Sequence, residues 1–90
     1  MVLDVIVTSE PIMKCHKKND TYVTFNAVEK LTKSTYVIIV YNKHISKLSY
    51  LYLHKGDNVS LEGKLKSSDK LKQYFILKNI GAEFLRKIYS

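Results

Sequence analysis

The stretch from Lys43 to Lys66, KHISKLSYLYLHKGDNVSLEGKLK, changes its hydrophobic period halfway along. Its first half predicts one short helix, from Lys43 to Lys55, because three apolar residues recur at the spacing of a helix face. Those residues are Ile45, Leu48 and Tyr52. Gly56 follows at the position where a glycine commonly terminates a helix, so we expect the helix to end there.

The second half, from Asp57 to Lys66, alternates strictly between apolar and polar residues. Such alternation is typical of a strand with one buried and one solvent-facing side. The buried side is expected to carry Val59, Leu61, Gly63 and Leu65, and the solvent-facing side Ser60, Glu62, Lys64 and Lys66. This is the clearest strand signal in the sequence.

Strands are also predicted for most of the remaining chain, where β-branched and aromatic residues lie between short polar breaks. The predicted strands are Val2–Thr8 with a bent continuation over Ile12–Lys17, Thr21–Val28, Thr35–Tyr41, Asp57–Lys66 and Lys72–Ile80. The segment Ala82–Tyr89 either extends the last strand or forms a terminal helix. Five strands with one short helix between the third and the fourth predict an all-β fold, the five-stranded barrel of the oligonucleotide/oligosaccharide-binding (OB) fold, as a single domain over residues 1–90.

The composition limits the kinds of protein that this chain can be. Ninety residues suffice for one small domain. A single cysteine cannot form an internal disulfide, which favours a reducing compartment. The longest apolar run, Tyr36–Tyr41, is far shorter than a membrane helix, and the N-terminal residues do not resemble a signal or transit peptide. We therefore expect a cytoplasmic protein with no membrane segment.

The charge is strongly basic and comes almost entirely from lysine. The chain has 15 Lys and Arg against 8 Asp and Glu, a formal net charge of +7, and its one arginine is Arg86. The arginine fork is the usual reader of guanine edges, whereas the lysine ammonium is a flexible point charge that suits phosphate oxygens. This balance favours a polyanion held through its backbone, although solubility alone would also account for excess charge.

A set of motifs recurs here with the spacing of a known family. Tyr36 opens the central strand, Tyr52-Leu53-His54-Lys55-Gly56 ends the helix, Val59-Ser60-Leu61-Glu62-Gly63-Lys64-Leu65-Lys66 forms the next strand, and Tyr74 stands near the start of the last one. This pattern resembles the bacterial single-stranded-DNA-binding proteins. The resemblance implies a nucleoid-associated protein that binds single-stranded DNA, or RNA, with little sequence preference in DNA replication, repair or recombination. The primosomal replication protein, which resembles the same family, implies the alternative of a primosome accessory protein.

The predicted central strand departs from the family pattern, in which aromatic and basic residues alternate on the outward face. The residues expected to face outward here are Tyr36, Ile38, Val40 and Asn42, while Val37 and Ile39 are assigned to the core. An apolar stripe on an exposed sheet face is normally covered by another surface. We therefore expect self-association, as a homodimer or a homotetramer.

Basic side chains around exposed tyrosines are typical of single-strand binding, because lysines neutralise phosphates and aromatic rings stack on bases. Tyr22 and Tyr36 are the candidate stacking residues; packing at the sheet surface or in a subunit interface is the alternative for both. The candidate phosphate-binding residues are Lys64 and Lys66 on the alternating strand, Lys30 and Lys33 before the central strand, and Lys70 and Lys72 beside the loop before the last strand. A lysine taken singly is more often a solvated surface residue than a ligand contact, so it is the grouping of these lysines that favours a binding surface.

The sequence predicts no catalytic residue, no metal site and no cofactor. Cys15 and His16 are adjacent rather than spaced as zinc ligands, and no glycine-rich phosphate loop is present. We expect a protein that is not an enzyme. The alternative from a different functional class is an OB-fold protein-interaction module without strong nucleic-acid binding.

Overall fold

Six strands of the chain hydrogen-bond into one continuous sheet. The structure is a computed structural model that describes residues 1–15, 17, 20–67 and 73–89. Its elements are β1 (Val2–Val7), β2 (Ile12–Cys15), β3 (Thr21–Glu29), β4 (Thr35–Val40), α1 (Lys43–Tyr52), β5 (Asn58–Lys66), β6 (Tyr74–Ile80) and α2 (Ala82–Tyr89).

Five of the strands close into a barrel. The sheet order is β1-β5-β6-β4-β3-β2, and an additional pairing of β1 with β3 joins the two sides. All neighbouring pairs are antiparallel except β4 and β6, which run parallel. The predicted all-β, five-stranded OB-fold barrel is therefore confirmed, with one extra strand, β2, attached to β3 outside the closed ring.

Helix α1 packs against the interior of the barrel and begins with a side-chain cap. The Asn42 carboxamide oxygen accepts the backbone N–H of Ile45 at 3.1 Å, which satisfies one of the free donors at the helix start. The helix ends at Tyr52, earlier than predicted, because Leu53 turns to an extended conformation and inserts its side chain into the core. Gly56 instead has its positive φ of 97° within the turn from His54 to Asp57.

The alternation predicted for β5 is confirmed over most of its length. Val59, Leu61 and Gly63 are buried, and the polar residues between them point outward. Leu65, also predicted to be buried, is 38 % exposed near the end of the strand. At Gly63 the backbone of β6 approaches so closely that an added Cβ would lie 2.1 Å from the carbonyl oxygen of Ile76. A bulge between Glu62 and Gly63 shifts the pairing register at this point, so glycine is required by contact rather than by turn geometry.

The faces predicted for β4 are exchanged in the structure. Tyr36, Ile38 and Val40 point into the barrel and are at most 7 % exposed, whereas Val37 and Ile39 belong to the outer side of the sheet. The prediction was wrong because every residue from Tyr36 to Val40 is apolar, so the sequence pattern does not distinguish the two faces.

Residues Ala82–Tyr89 form a helix, which resolves the alternative that the sequence leaves open. Gly81 precedes it, and the Gly81 carbonyl accepts the backbone N–H groups of Phe84 and Leu85. Phe84, Leu85 and Ile88 pack partly buried against the core, so α2 covers one side of the barrel. Neither helix in the described part of the chain is long and apolar enough to span a bilayer.

Candidate nucleic-acid interface

The strand registers place a defined set of side chains on the outside of the sheet formed by β5, β6, β4, β3 and β2. Residues that face each other across paired strands point to the same side of a sheet. We call this surface the outer face. Its rows are Lys66-Tyr74-Val37-Asn26, then Lys64-Ile76-Ile39-Thr24-Ile12, and then Tyr41-Tyr22-Lys14.

The centre of the outer face is apolar. Ile39 lies between Thr24 on one side and Ile76 on the other, and Val37 lies beside Tyr74 in the neighbouring row. The neighbouring strands leave Ile39 only 8 % exposed, whereas Val37, Ile76 and Tyr74 are half-buried. The outer face therefore has a partly exposed apolar centre that includes one aromatic ring, that of Tyr74.

Two tyrosines contact each other at one end of the outer face. The ring centroids of Tyr22 and Tyr41 are 5.6 Å apart with planes at 50°, a tilted arrangement that is favourable for aromatic pairs. Tyr41 is 52 % exposed and Tyr22 is half-buried, so the pair presents aromatic surface to solvent. Lys14 of β2 faces Tyr22 across the β2–β3 pairing and is exposed.

The lysines of β5 form the opposite border of the outer face. Lys64 faces Ile76 and Lys66 faces Tyr74 across the β5–β6 pairing, and both lysines are exposed. The nearest carboxylate on the same strand is Glu62, two positions before Lys64. The apolar centre thus lies between Lys14 on one border and Lys64 and Lys66 on the other, and both β5 lysines are on the outward side that the alternation predicts.

Tyr36 does not lie on this surface, contrary to prediction. Its ring is in the barrel interior at 7 % exposure, and its hydroxyl donates to Glu29 Oε1 at 3.4 Å at the end of the barrel. A buried tyrosine normally finds a partner for its O–H in this way. A ring inside the barrel cannot stack on a base, so the geometry assigns Tyr36 to the core.

Lys30 is also removed from the outer face. It lines a groove beside α2 together with Asp4, Glu83 and Arg86, where its charge is accompanied by two carboxylates. Lys33 is exposed in the same β3–β4 connection, with a positive φ of 63°. Lys70 and Lys72, the last two candidates, lie outside the described residues.

The structure adds three residues that the sequence analysis did not place in the site: Tyr41, Tyr74 and Lys14. For Tyr74 a signal existed, because it matches a tyrosine of the family pattern. Tyr41 and Lys14 join the site only through the pairing of β2 and β3 with their neighbours, which no local pattern indicates.

Within the described ranges, no group of three His, Cys, Asp or Glu side chains is arranged to hold a metal ion. The backbone hydrogen bond from Lys55 is the chief cause that lowers the pKa of the Glu10 carboxyl group from its usual value. Glu10 lies at the bend between β1 and β2 and not on the outer face.

Known proteins are similar to this chain in structure, but no family or curated protein matches it in sequence. The chain matches no protein-family model and no curated protein. Its structure is similar to the small single-stranded DNA-binding protein from Streptomyces coelicolor, with a TM-score of 0.81 and 16% identity over 90% of this chain and 89% of that one. For the mitochondrial single-stranded DNA binding protein of S. cerevisiae the TM-score is 0.78, with 19% identity over 90% of this chain and 88% of that one.

A third similar structure contains a ligand. It is the Plasmodium falciparum single-stranded-DNA-binding protein in complex with single-stranded DNA, with a TM-score of 0.69 and 25% identity over 90% of each chain. The structural neighbours of this chain are consistently single-stranded-DNA-binding proteins, and the OB fold is what it shares with them.

Proposed function

We propose that this protein binds single-stranded DNA on the outer face, with little sequence preference and without catalysing a reaction, in DNA replication, repair or recombination. The observation that carries the proposal is the position of the tyrosines Tyr22, Tyr41 and Tyr74 on the same sheet surface as Lys14, Lys64 and Lys66. The similarity in fold to proteins that bind single-stranded DNA supports it.

The chemistry of the outer face fits a flexible strand better than a duplex. Exposed lysines can neutralise phosphates, and each base stacked on an aromatic ring contributes about 1–3 kcal/mol. Every base has an aromatic face, so stacking tolerates any sequence. No arginine lies in the three rows of the outer face, so the bidentate fork that commonly reads guanine is missing from them.

A protein-interaction module is the second candidate, and the apolar row of the outer face favours it. Ile12 is 55 % exposed at one end of the row, which continues through Thr24 and the buried Ile39 to the half-buried Ile76. An exposed apolar surface can mark a protein partner. A protein partner would bury this row and would not require the lysines on its borders.

Binding of a labelled oligothymidine, measured by fluorescence anisotropy across a salt series, tests the proposal. If about 4–6 phosphates are neutralised, the logarithm of the affinity should fall against the logarithm of salt concentration with a slope of roughly −3 to −4. Competition with unstructured RNA and with duplex DNA identifies the preferred polymer. Absence of binding at low salt, or equal binding of duplex, would contradict the proposal.

Intrinsic tyrosine fluorescence gives an independent test of stacking. The chain contains seven tyrosines and no tryptophan, so its emission comes from tyrosine alone. We expect oligothymidine to quench this emission, and the quenching to decrease when Tyr41 is replaced by alanine. Binding without any quenching would support contact with phosphates only.

A further inference from the structure

The bend between β1 and β2 determines where one border of the outer face lies. Strand β1 is part of the closed barrel, whereas β2 pairs only with β3 among the described strands. All four residues of β2 are exposed, so burial contributes little to its position. The position of Lys14 beside Tyr22 therefore depends on the β3 pairing and on the bend from Thr8 to Pro11. The first half of the bend is hydrogen-bonded to Asn26 of β3 through Thr8 and Ser9, which leaves Glu10 to attach the second half.

The bend is attached to a distant turn through the carboxylate of Glu10. Glu10 Oε2 accepts the backbone N–H of Lys55 at 2.5 Å, and Glu10 Oε1 lies 3.4 Å from Nδ1 of His54. These contacts join segments that are 44 and 45 residues apart in the sequence. The lowered pKa of Glu10 agrees with a carboxylate held in its charged form by that backbone donor.

The turn that receives Glu10 is itself fixed to the barrel. Gly56 donates its backbone N–H to the Val7 carbonyl at 2.7 Å, and Val7 donates to the Asp57 carbonyl at 2.9 Å. Within the turn, Asp57 Oδ2 accepts the backbone N–H of His54 at 2.9 Å. Glu10 thus connects the bend to a turn that is itself hydrogen-bonded to the end of β1.

We propose that Glu10 is a positioning residue for the interface: its contact with the His54–Asp57 turn holds the bend so that β2 keeps Lys14 beside Tyr22. This inference rests on the proposed function of the outer face. Glu10 itself contacts no nucleic acid in this scheme.

Net charge and positioning predict opposite changes in nucleic-acid affinity when Glu10 is removed, so the direction of the change tests the proposal. Removal of a carboxylate raises the net charge from +7 to +8 and should tighten binding of any polyanion. If Glu10 positions β2, Glu10→Ala should instead weaken oligothymidine binding about three- to tenfold. Glu83→Ala is the matched control, because Glu83 is an exposed carboxylate on α2 beside the groove at Lys30.

A Glu10→Gln variant separates the hydrogen bond from the charge, and a double variant tests the coupling between Glu10 and Lys14. Glu10→Gln keeps an oxygen that can accept the Lys55 N–H, so its affinity should stay within about twofold of the wild type. Lys14→Ala should weaken binding less in the Glu10→Ala background than in the wild type, because β2 is already displaced there. A Glu10→Ala variant that binds as tightly as Glu83→Ala, or full additivity with Lys14→Ala, would overturn the proposal.

Amide hydrogen exchange on the free protein tests the positioning role without nucleic acid. In Glu10→Ala, the amides of Lys55 and of β2 should exchange at least fivefold faster, whereas those of β5 should not change. If the wild type binds no oligothymidine, the function proposed for the outer face is wrong, and the exchange result still decides whether Glu10 holds β2. Unchanged exchange in β2 would refute the positioning role even if binding is confirmed.

Discussion

Tyr36 lies near the start of β4 and Tyr41 directly follows its end, yet their rings lie in opposite environments. Tyr36 is inside the barrel with its hydroxyl on Glu29, and Tyr41 is exposed against Tyr22. The two residues are five positions apart, and alternation along an extended chain sends them to opposite sides of the sheet. Tyr36, which the sequence analysis selected for stacking, is therefore a core residue. Tyr41, which it did not select, is a candidate contact.

Substitution of these two tyrosines should separate stability from binding. Tyr36→Phe removes only the hydroxyl that donates to Glu29, so oligothymidine affinity should be unchanged and the free energy of unfolding should fall by no more than about 1 kcal/mol. Tyr41→Ala should weaken affinity about tenfold through loss of stacking, with little change in unfolding. Anisotropy and urea unfolding on both variants check this, and a Tyr41→Ala variant that binds as tightly as the wild type would contradict the placement of Tyr41 in the interface.

Two buried serines on α1 should respond to alanine in opposite directions. Ser49 is fully buried and its hydroxyl has no hydrogen-bond partner among the described atoms, whereas Ser46 Oγ donates to the Val40 carbonyl at 2.7 Å. Ser49→Ala removes an unsatisfied polar group and should raise the free energy of unfolding by about 1 kcal/mol. Ser46→Ala should lower it by a similar amount. Urea unfolding measures both, and destabilisation by Ser49→Ala would show that its hydroxyl is satisfied.

At the scale of elements, β5 combines a structural requirement with one border of the proposed interface. Its inner side carries the contact between Gly63 and β6, and its outer side carries Lys64 and Lys66. The motif from Val59 to Lys66, which resembles the family pattern, therefore combines a packing requirement with a surface charge. The glycine belongs to the packing of the barrel, and the lysines belong to the surface.

Gly63→Ala should destabilise the barrel strongly. Its Cβ would lie 2.1 Å from a backbone oxygen of β6, so the strand itself would have to move, at a cost of about 2–4 kcal/mol in the free energy of unfolding. Gly56→Ala is the comparison, because no described atom beyond the chain neighbours lies within 4 Å of a Cβ added at Gly56. Only the positive φ there opposes a side chain. That variant should lose about 1 kcal/mol. Equal losses in urea unfolding would argue against the close approach at Gly63.

Replacement of both β5 lysines should change the salt dependence of binding and not only its strength. If Lys64 and Lys66 each neutralise one phosphate, the double alanine variant should reduce the magnitude of the salt slope by about 1.4. The control is Lys43→Ala with Lys47→Ala, which removes two exposed lysines from α1 and should leave the slope nearly unchanged. An equal reduction in both double variants would mean that the nucleic acid responds to net charge alone.

At the scale of the whole molecule, the charge is arranged unevenly. The lysines of the outer face border an apolar centre, whereas Asp4, Asp57 and Glu83 line the grooves beside α2. This separation gives the barrel one side suited to a polyanion and another that is mixed in charge. The net charge of +7 does not by itself show such a division.

The free edge of β2 supports the proposal that the protein self-associates. Within the described part of the sheet no strand pairs with this edge, and an unpaired edge can pair with another chain. We expect light scattering in reducing buffer to give two or four times the mass of one chain; the reductant prevents crosslinking through the exposed Cys15. The sequence pattern predicted self-association from an exposed apolar stripe at Ile38 and Val40, and that reason is wrong because both residues are in the core. A monomer at every concentration would contradict self-association.

Local pattern alone determined the five barrel strands, the helix α1 and the inward side of β5 as far as Gly63, because polar and apolar residues alternate where only one side of a strand is buried. The tertiary structure separated β2 from β1 and made Ala82–Tyr89 a helix. The tertiary structure decided which side of β4 faces inward, since residues 36–40 are all apolar and either orientation satisfies them. It also decided which lysines and tyrosines share a surface. Those neighbours are brought together by strand pairings between distant segments, and residues far apart in sequence carry no local signal of being adjacent.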